Sequence, residues 1–274
     1  DLAKTMHPGW KKVTLELLLR NRGGMPAELG RDGLWPRLFA HRGTPREARR
    51  LLTKTVLAWP PKHAPGTTYE YSNAGFAVVG HAAESLLDTP YETLLMKQVF
   101  EPLRALPAGF GAPGAADKDV SQPWGHAFDG KTNPPVKPGP FAADNPAAIT
   151  PAGRVHMTID AWARYVQLHL RGARRAKSEL LMDQATLRRI QTAREGENYA
   201  MGWVRFQRPW AGGPTFMHNG TNTMWFAVTW VAPERDVAYL VVCNQGGAPG
   251  SRCTDAAVGA LIRWFTARQA KAAK

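Results

Sequence analysis

Cysteine is almost missing from this sequence, acidic side chains are outnumbered, and no apolar run is long. The two cysteines, Cys243 and Cys253, stand ten positions apart. Across the Gly/Pro-containing stretch between them, they are compatible with a short disulfide or with two buried thiols. The disulfide would suit a periplasmic or secreted protein, the thiols a cytoplasmic one. No Cys/His cluster has metal-ligand spacing, and the eight histidines lie too far apart for HExxH or HxH patterns, so no metal and no other cofactor is expected. No apolar stretch approaches the roughly 20 residues that a membrane-spanning helix needs. An initiator Met and a signal peptide are also lacking. The chain begins at Asp1, and a processed, trimmed or truncated N-terminus is expected.

The charge is lopsided: 35 Lys and Arg face 22 Asp and Glu, for a net +13. Such a balance invites a nucleic-acid reading. The cations are scattered, however, among Lys11, Lys12, Arg46, Arg49, Arg50, Arg171, Arg174, Arg175, Arg188, Arg189 and Lys271. Several fall at helix ends or on polar helix faces, where solvation accounts for them. With no aromatic-interleaved basic stripe, a nucleic-acid partner is not expected, while attraction to anionic surfaces stays open.

With 274 residues, 44% of them hydrophobic, the chain can bury a substantial core. Helical spacing of apolar residues predicts helices over 13–20, 46–58, 76–87 and 91–99. Residues 107–153 are rich in Pro, Gly and Ala and read as an ordered, loop-dominated excursion. A helix capped by Thr158 or Asp160 follows, with Trp162, Tyr165, Val166 and Leu170 inward. Another helix is expected over 178–192. From residue 199 the period becomes that of strands, over 199–207, 215–218, 224–231 and 237–243. A last helix over 254–270 carries an apolar stripe of Val258, Leu261, Ile262 and Phe265. The expected class is α+β: a mainly helical region, 1–198, and an antiparallel sheet with a C-terminal helix, 199–274.

Three short segments invite a chemical reading. Residues 125–132, Gly-His-Ala-Phe-Asp-Gly-Lys-Thr, match the G-x-x-x-x-G-K-T phosphate-loop pattern. That loop works only where a helix begins, and Asn133-Pro134-Pro135 forbids one here. Tyr71-Ser72-Asn73 sets a phenol and a carboxamide at the mouth of a helix, suited to proton transfer and to holding an amide. The bland alternative is a buried Tyr beside an Asn that caps the helix. His218-Asn219-Gly220 reads as a strand-end segment in which His218 is either functional or structural. Gly220 is there to admit a ligand, to give the backbone room, or to allow an unusual dihedral.

Taken with their flanks, these segments resemble a known family. Pro65-Gly66, Tyr71-Ser72-Asn73, Gly75-Phe76, Gly80 and Glu101-Pro102-Leu103 are similar, in order, to the serine β-lactamase and penicillin-binding-protein superfamily. Within it the class C-like β-lactamases, esterases and D-amino-acid peptidases match best. The likeness continues through Val13-Thr14-Leu15, Leu18-Leu19, Pro151-Ala152-Gly153, Tyr199, Met201-Gly202-Trp203 and His218-Asn219-Gly220, so it covers nearly the whole chain. The resemblance implies an antiparallel sheet flanked by helices, joined to a helical domain, with the site between them. It implies Tyr71 as general base and acid, Asn73 as the amide binding substrate and a catalytic Lys, and His218 as a positive or hydrogen-bonding group. It also implies Asn219 and Gly220 along the substrate strand, and the Thr221 N–H as one oxyanion donor.

The sequence departs from the family in three places. The family's nucleophile lies in Ser-x-x-Lys, yet Ser72, Ser85, Ser121, Ser178 and Ser251 all lack a Lys three residues on. By resemblance that segment, and the strands accompanying it, would fall before Asp1. Arg20-Asn21-Arg22-Gly23-Gly24 replaces a common Thr-His-Thr-Ser-Gly and is expected to touch no catalytic role. His218 replaces the Lys of classical β-lactamases, favouring esterase or peptidase relatives. The expected activity is acyl-enzyme hydrolysis of an ester, β-lactam or D-amino-acid amide, with a small-molecule or peptide-like substrate. The alternatives are an inactive relative that binds peptidoglycan-like ligands and a basic module for anionic polymers.

Overall fold

The computed structural model describes residues 2–114, 122–139, 143–174 and 181–272. The chain folds as two compact units. One comprises Asp1–Glu101, Gly109–Gly111 and Asp144–His156, the other Pro102–Ala108, Ala112–Ala143 and Met157–Lys274. The helices after residue 157 thus group with the sheet rather than with the helical region expected to run to residue 198.

The first unit is built from α1 (Leu15–Leu19), α2 (Leu34–Ala40), α3 (Pro45–Ala58), α4 (Asn73–Leu86), α5 (Tyr91–Leu95) and α6 (Thr150–Gly153), with the short strands β1 (Ala108–Phe110) and β4 (Val155–Met157) paired. A capping box starts α3. Thr44 Oγ1 accepts the Glu47 N–H at 3.2 Å, and Glu47 Oε2 accepts the Thr44 N–H at 2.7 Å, which together satisfy two end donors of the helix. The helix ends at Trp59, whose carbonyl takes the Trp10 indole N–H at 2.7 Å, since Pro60 and Pro61 cannot continue it. Ala48, Leu52 and Val56, four residues apart, are buried in one core with Leu34, Ala77 and Ile149. Burial of a side chain like Leu52 or Val56 contributes roughly 1.5–3 kcal/mol.

Two glycines set the position of α4. A Cβ on Gly75 would lie 3.1 Å from the Leu18 carbonyl, and one on Gly80 would overlap the Pro151 ring. The helix therefore approaches α6 more closely than a side chain at residue 80 would allow, and α1 closely enough that one at residue 75 would fit only tightly. Arg49 departs from the solvated role expected of the cations: it is 0% exposed. Its guanidinium reaches Glu84 Oε2 at 2.8 Å and Glu92 Oε2 at 2.8 Å, while His81 Nδ1 lies 2.9 Å from Glu84 Oε1. Burial opposes both charges, but the paired bonds outweigh it. They hold the Arg49 pKa above its ordinary value and the Glu84 pKa below it.

In the second unit β5 (Val204–Arg208), β6 (Gly213–Thr221), β7 (Phe226–Ala232) and β8 (Val237–Cys243) form an antiparallel sheet in that order. The strand expected from residue 199 starts later. Gly202 adopts φ +93°, a left-handed turn that leaves Tyr199 with only an isolated bridge to Val204. One sheet face buries Phe216 and Val231 against Val166 and Leu170 of α7 (Ile159–Ala173). Thr158, not Asp160, caps α7, its Oγ1 accepting the Ala161 N–H at 3.3 Å. Trp162 and Tyr165 pack half-buried against the same core.

Next comes α8 (Gln184–Gln191), capped by Asp183. The start of the helix expected from residue 178 lies outside the described residues. On the other sheet face, Tyr239 meets Phe265 of α9 (Gly247–Ala272) edge-on at 6.2 Å. Val258 is buried, but Leu261 is 39% exposed, because it falls at the margin of the stripe that Val258, Ile262 and Phe265 present. A small hairpin, β2 (Gly125–His126) with β3 (Pro135–Val136), completes the unit. The phosphate-loop lookalike is the turn of this hairpin: Asp129 Oδ1 accepts the N–H groups of Lys131 and Thr132, and no helix starts there.

Candidate active site

Tyr71 and Asn73 come together in the first unit. Gly66 turns the chain with φ +88°, and residues 68–72 then run along the loop of residues 21–27. Asn21 holds them. Its carbonyl accepts the Glu70 N–H at 2.8 Å, and its Oδ1 accepts the Ser72 N–H at 3.0 Å. Alternation of an extended chain sends Glu70 and Ser72 to one side and Tyr69 and Tyr71 to the other. Ser72 Oγ donates to the Pro26 carbonyl at 2.6 Å. Glu70 collects the Ala27 N–H at 3.0 Å, Lys62 Nζ at 2.6 Å and His63 Nε2 at 2.7 Å. The loop around Asn21, expected to touch no catalytic role, is therefore the support of the tyrosine segment.

Tyr69 and Tyr71 each keep 43% of their surface exposed. Asn73 is the first residue of α4, where the helix dipole is positive. The cap position belongs to Ser72, whose side chain bonds Pro26 instead of capping. Partial burial pushes the Tyr71 phenol above its ordinary pKa. Tyr69 is raised too, first by burial and then by the neighbouring Tyr71, against a bond from Asn21. Among the described groups the direction is thus upward, opposite to the lowering a base needs.

In the second unit residues 218–221 end β6, opposite Thr229, Val228, Ala227 and Phe226 of β7. His218 and Gly220 share the face of Phe216, while Asn219 and Thr221 share the opposite one. The β5 ladder ends at Val204 opposite Met217. Residues 219–221 therefore run past it, and among the described residues no strand covers that edge. A Cβ on Gly220 would meet no atom within 4 Å, and its φ is not left-handed. Among the described residues, neither packing nor a special dihedral demands glycine here.

His218 Nδ1 lies 2.6 Å from the Asn219 carbonyl, so that nitrogen carries the proton. Burial lowers the His218 pKa, outweighing the opposing effect of that bond. That direction favours the neutral ring at neutral pH. Its edge meets the Tyr199 ring at a centroid distance of 6.2 Å.

The turn after Thr221 is built with care. Thr221 Oγ1 accepts the Thr223 N–H at 3.0 Å, Asn222 Oδ1 accepts that of Trp225 at 3.0 Å, and Thr223 sits at φ +74°. From the 107–153 excursion, the His126 N–H donates to the Met224 carbonyl at 3.0 Å. Asn21, Glu70 and His126 are supports that sequence reasoning missed. Only Glu70 carried a signal: an acid set directly between Tyr69 and Tyr71, near Lys62-His63.

The sequence model of the Beta-lactamase family matches residues 2–263. This chain belongs to the beta-lactamase family. A curated relative, a beta-lactamase of Pseudomonas fluorescens, is 24% identical over 194 residues, 70% of this chain and 51% of the relative. The chain thus spans about half the length of the curated relative it matches. Among solved structures, the octameric penicillin-binding protein homologue from Pyrococcus abyssi superposes with a TM-score of 0.69 at 21% identity, covering 91% of this chain and 56% of that one. A class C beta-lactamase gives 0.66 at 17% identity, over 92% and 74%. A D-stereospecific amidohydrolase from Streptomyces gives 0.65 at 17%, over 89% and 74%. These likenesses show the fold of the beta-lactamase-type hydrolases, mixed helix and antiparallel sheet.

Among the described residues, no three His, Cys, Asp or Glu side chains group as a metal site. No helix is long and apolar enough to cross a membrane.

Proposed function

We propose that this chain is the Tyr-x-Asn and substrate-strand part of a serine hydrolase that forms an acyl-enzyme on an ester, β-lactam or D-amino-acid amide. The observation that carries this reading is the Tyr71-Ser72-Asn73 segment. Its backbone is held by Asn21, its Tyr71 ring is turned away from that support, and Asn73 opens α4. None of the five serines stands three residues before a Lys, so on this reading the nucleophile comes from outside these 274 residues.

Tyr71 takes the serine proton as the Oγ–carbonyl bond forms and returns it to the leaving group when the scissile bond breaks. Because burial raises the Tyr71 pKa, the reading also requires a cation beside the phenol in the acylating protein to bring it down. Asn73 holds the substrate amide. The Thr221 N–H serves as one oxyanion donor, and neutral His218 supplies a hydrogen bond. Gly220 keeps the strand edge open for the substrate backbone, as the empty space around its missing Cβ suggests.

The test is labelling of the full-length protein with a fluorophosphonate or penicillin probe. Labelling of a serine preceding a Lys by three residues is expected, and Tyr71→Phe is expected to slow it by about 10²–10⁴-fold while thermal unfolding stays unchanged. Full-rate labelling of Tyr71→Phe would refute the role of the phenol. No labelling at all would instead favour a relative that binds such ligands without cleaving them.

A further inference from the structure

Glu70 stands between two exposed tyrosines, yet its own side chain is only 13% exposed. Its carboxylate reaches two other stretches of chain. Oε1 accepts the Ala27 N–H at 3.0 Å and Lys62 Nζ at 2.6 Å, and Oε2 lies 2.7 Å from His63 Nε2. Burial opposes the charge, but the bonds from Lys62, Ala27 and His63 outweigh it and hold the carboxyl below its ordinary pKa. The group is therefore an ionised acceptor, and His63 Nε2 carries the proton between them. The partners are themselves tied together. The Lys62 N–H donates to the Gly24 carbonyl at 2.9 Å, and the Gly66 N–H donates to the Arg22 carbonyl at 2.8 Å. A Cβ on Gly24 would collide with the His63 carbonyl, so residues 22–24 and 62–66 lie side by side without slack.

Resting on the hydrolase reading, we propose that Glu70 is a positioning residue for Tyr71: its carboxylate fixes the backbone from which the phenol projects, and so sets the rate of acyl transfer rather than the affinity for substrate. Neighbours in an extended segment point to opposite sides, so the carboxylate acts on the phenol through the backbone and not by touching it. Proton transfer needs the phenol within hydrogen-bond reach of the serine hydroxyl. A displacement of about 1 Å costs about a hundredfold in rate. Affinity rests on other groups, Asn73 and the strand of residues 219–221.

The experiment follows labelling of the full-length protein by a fluorophosphonate over a range of probe concentrations. In Glu70→Ala the limiting rate is expected to fall about 10- to 100-fold, while the half-saturating concentration stays within about twofold. The double variant Lys62→Met, His63→Phe keeps Glu70 but strips the carboxylate of both side-chain partners, and is expected to show the same split. Glu70→Ala is then repeated on Tyr71→Phe. There it is expected to slow labelling by less than about twofold further, since no phenol is left to position, whereas a general loss of structure would slow both backgrounds alike.

An undiminished limiting rate in Glu70→Ala, or in the double variant should Glu70→Ala not fold, would overturn the inference. So would an equal loss with and without the phenol, or a change confined to the half-saturating concentration. Failure of the hydrolase reading looks different: the unsubstituted protein is not labelled, or Tyr71→Phe is labelled at full rate, and this inference falls with it.

Discussion

His169 makes the stability of the second unit depend on pH in a direction and range that can be worked out. Its side chain is 3% exposed, and its ring lies between those of Tyr165 and Trp203 at 5.1 and 5.0 Å. Burial there lowers its pKa from 6.5 to about 4. In the unfolded chain the imidazole binds its proton near 6.5, in the folded chain only near 4. Between these values the unfolded state holds more protons, so stability is complete above 6.5 and declines as pH falls toward 4. At about 1.4 kcal/mol per pH unit the whole interval amounts to about 3 kcal/mol, of which about 2 kcal/mol is lost by pH 5.

The perturbation is His169→Phe, which keeps a ring in the aromatic site and cannot titrate. Gln191 Nε2 keeps its 2.9 Å bond to the backbone carbonyl of residue 169. Denaturant unfolding of the full-length protein, followed by tryptophan fluorescence, is compared at pH 7.5 and pH 5. The unsubstituted protein is expected to lose about 2 kcal/mol more than the variant across that interval. Taking the difference cancels the carboxylates, such as Glu84, whose lowered pKa places their own losses at more acid pH. Equal losses in the two proteins would refute the reasoning, as would an NMR titration placing the His169 midpoint near 6.5.

Other perturbations test other parts of the structure. Glu84→Gln leaves Arg49 buried without its full counter-charge and is expected to cost about 3–5 kcal/mol in denaturant unfolding; a loss under 1 kcal/mol would mean the network relaxes or takes in water. Gly80→Val forces a side chain into Pro151 and should cost about 1–3 kcal/mol, whereas unchanged stability would show that α4 and α6 are free to part. Thr158→Ala removes the α7 cap and should cost about 1 kcal/mol, read as a fall in the denaturation midpoint at constant m. Because burial keeps the His218 pKa below 6.5, probe acylation is expected to show no His218-dependent inflection at or above that pH. An inflection there that disappears in His218→Gln would contradict the neutral ring.

Several elements were legible because their signals are local. The α3 start is written in Thr44-Pro45-Arg46-Glu47, β8 coincides with an unbroken apolar run, and Thr158 announces α7. Gly80 stood out as part of a pattern before it had a reason, which the Pro151 ring supplies. Boundaries drifted where a dihedral intervened, as at Gly202, or where a helix such as α9 begins within a Gly/Pro segment that propensity alone would assign to a loop.

The sequence by itself determined the family, the α+β class and the phenol–amide pair at residues 71 and 73, because each rests on residue types at short, fixed separations. Only the tertiary structure decided that Arg49 is a buried ion-pair hub and that burial lowers the His218 pKa. It alone assigned Asn21 to carry the Tyr71 segment. These depend on which groups distant in the chain surround a side chain. Desolvation and hydrogen bonding act through that surrounding, and no local pattern encodes it.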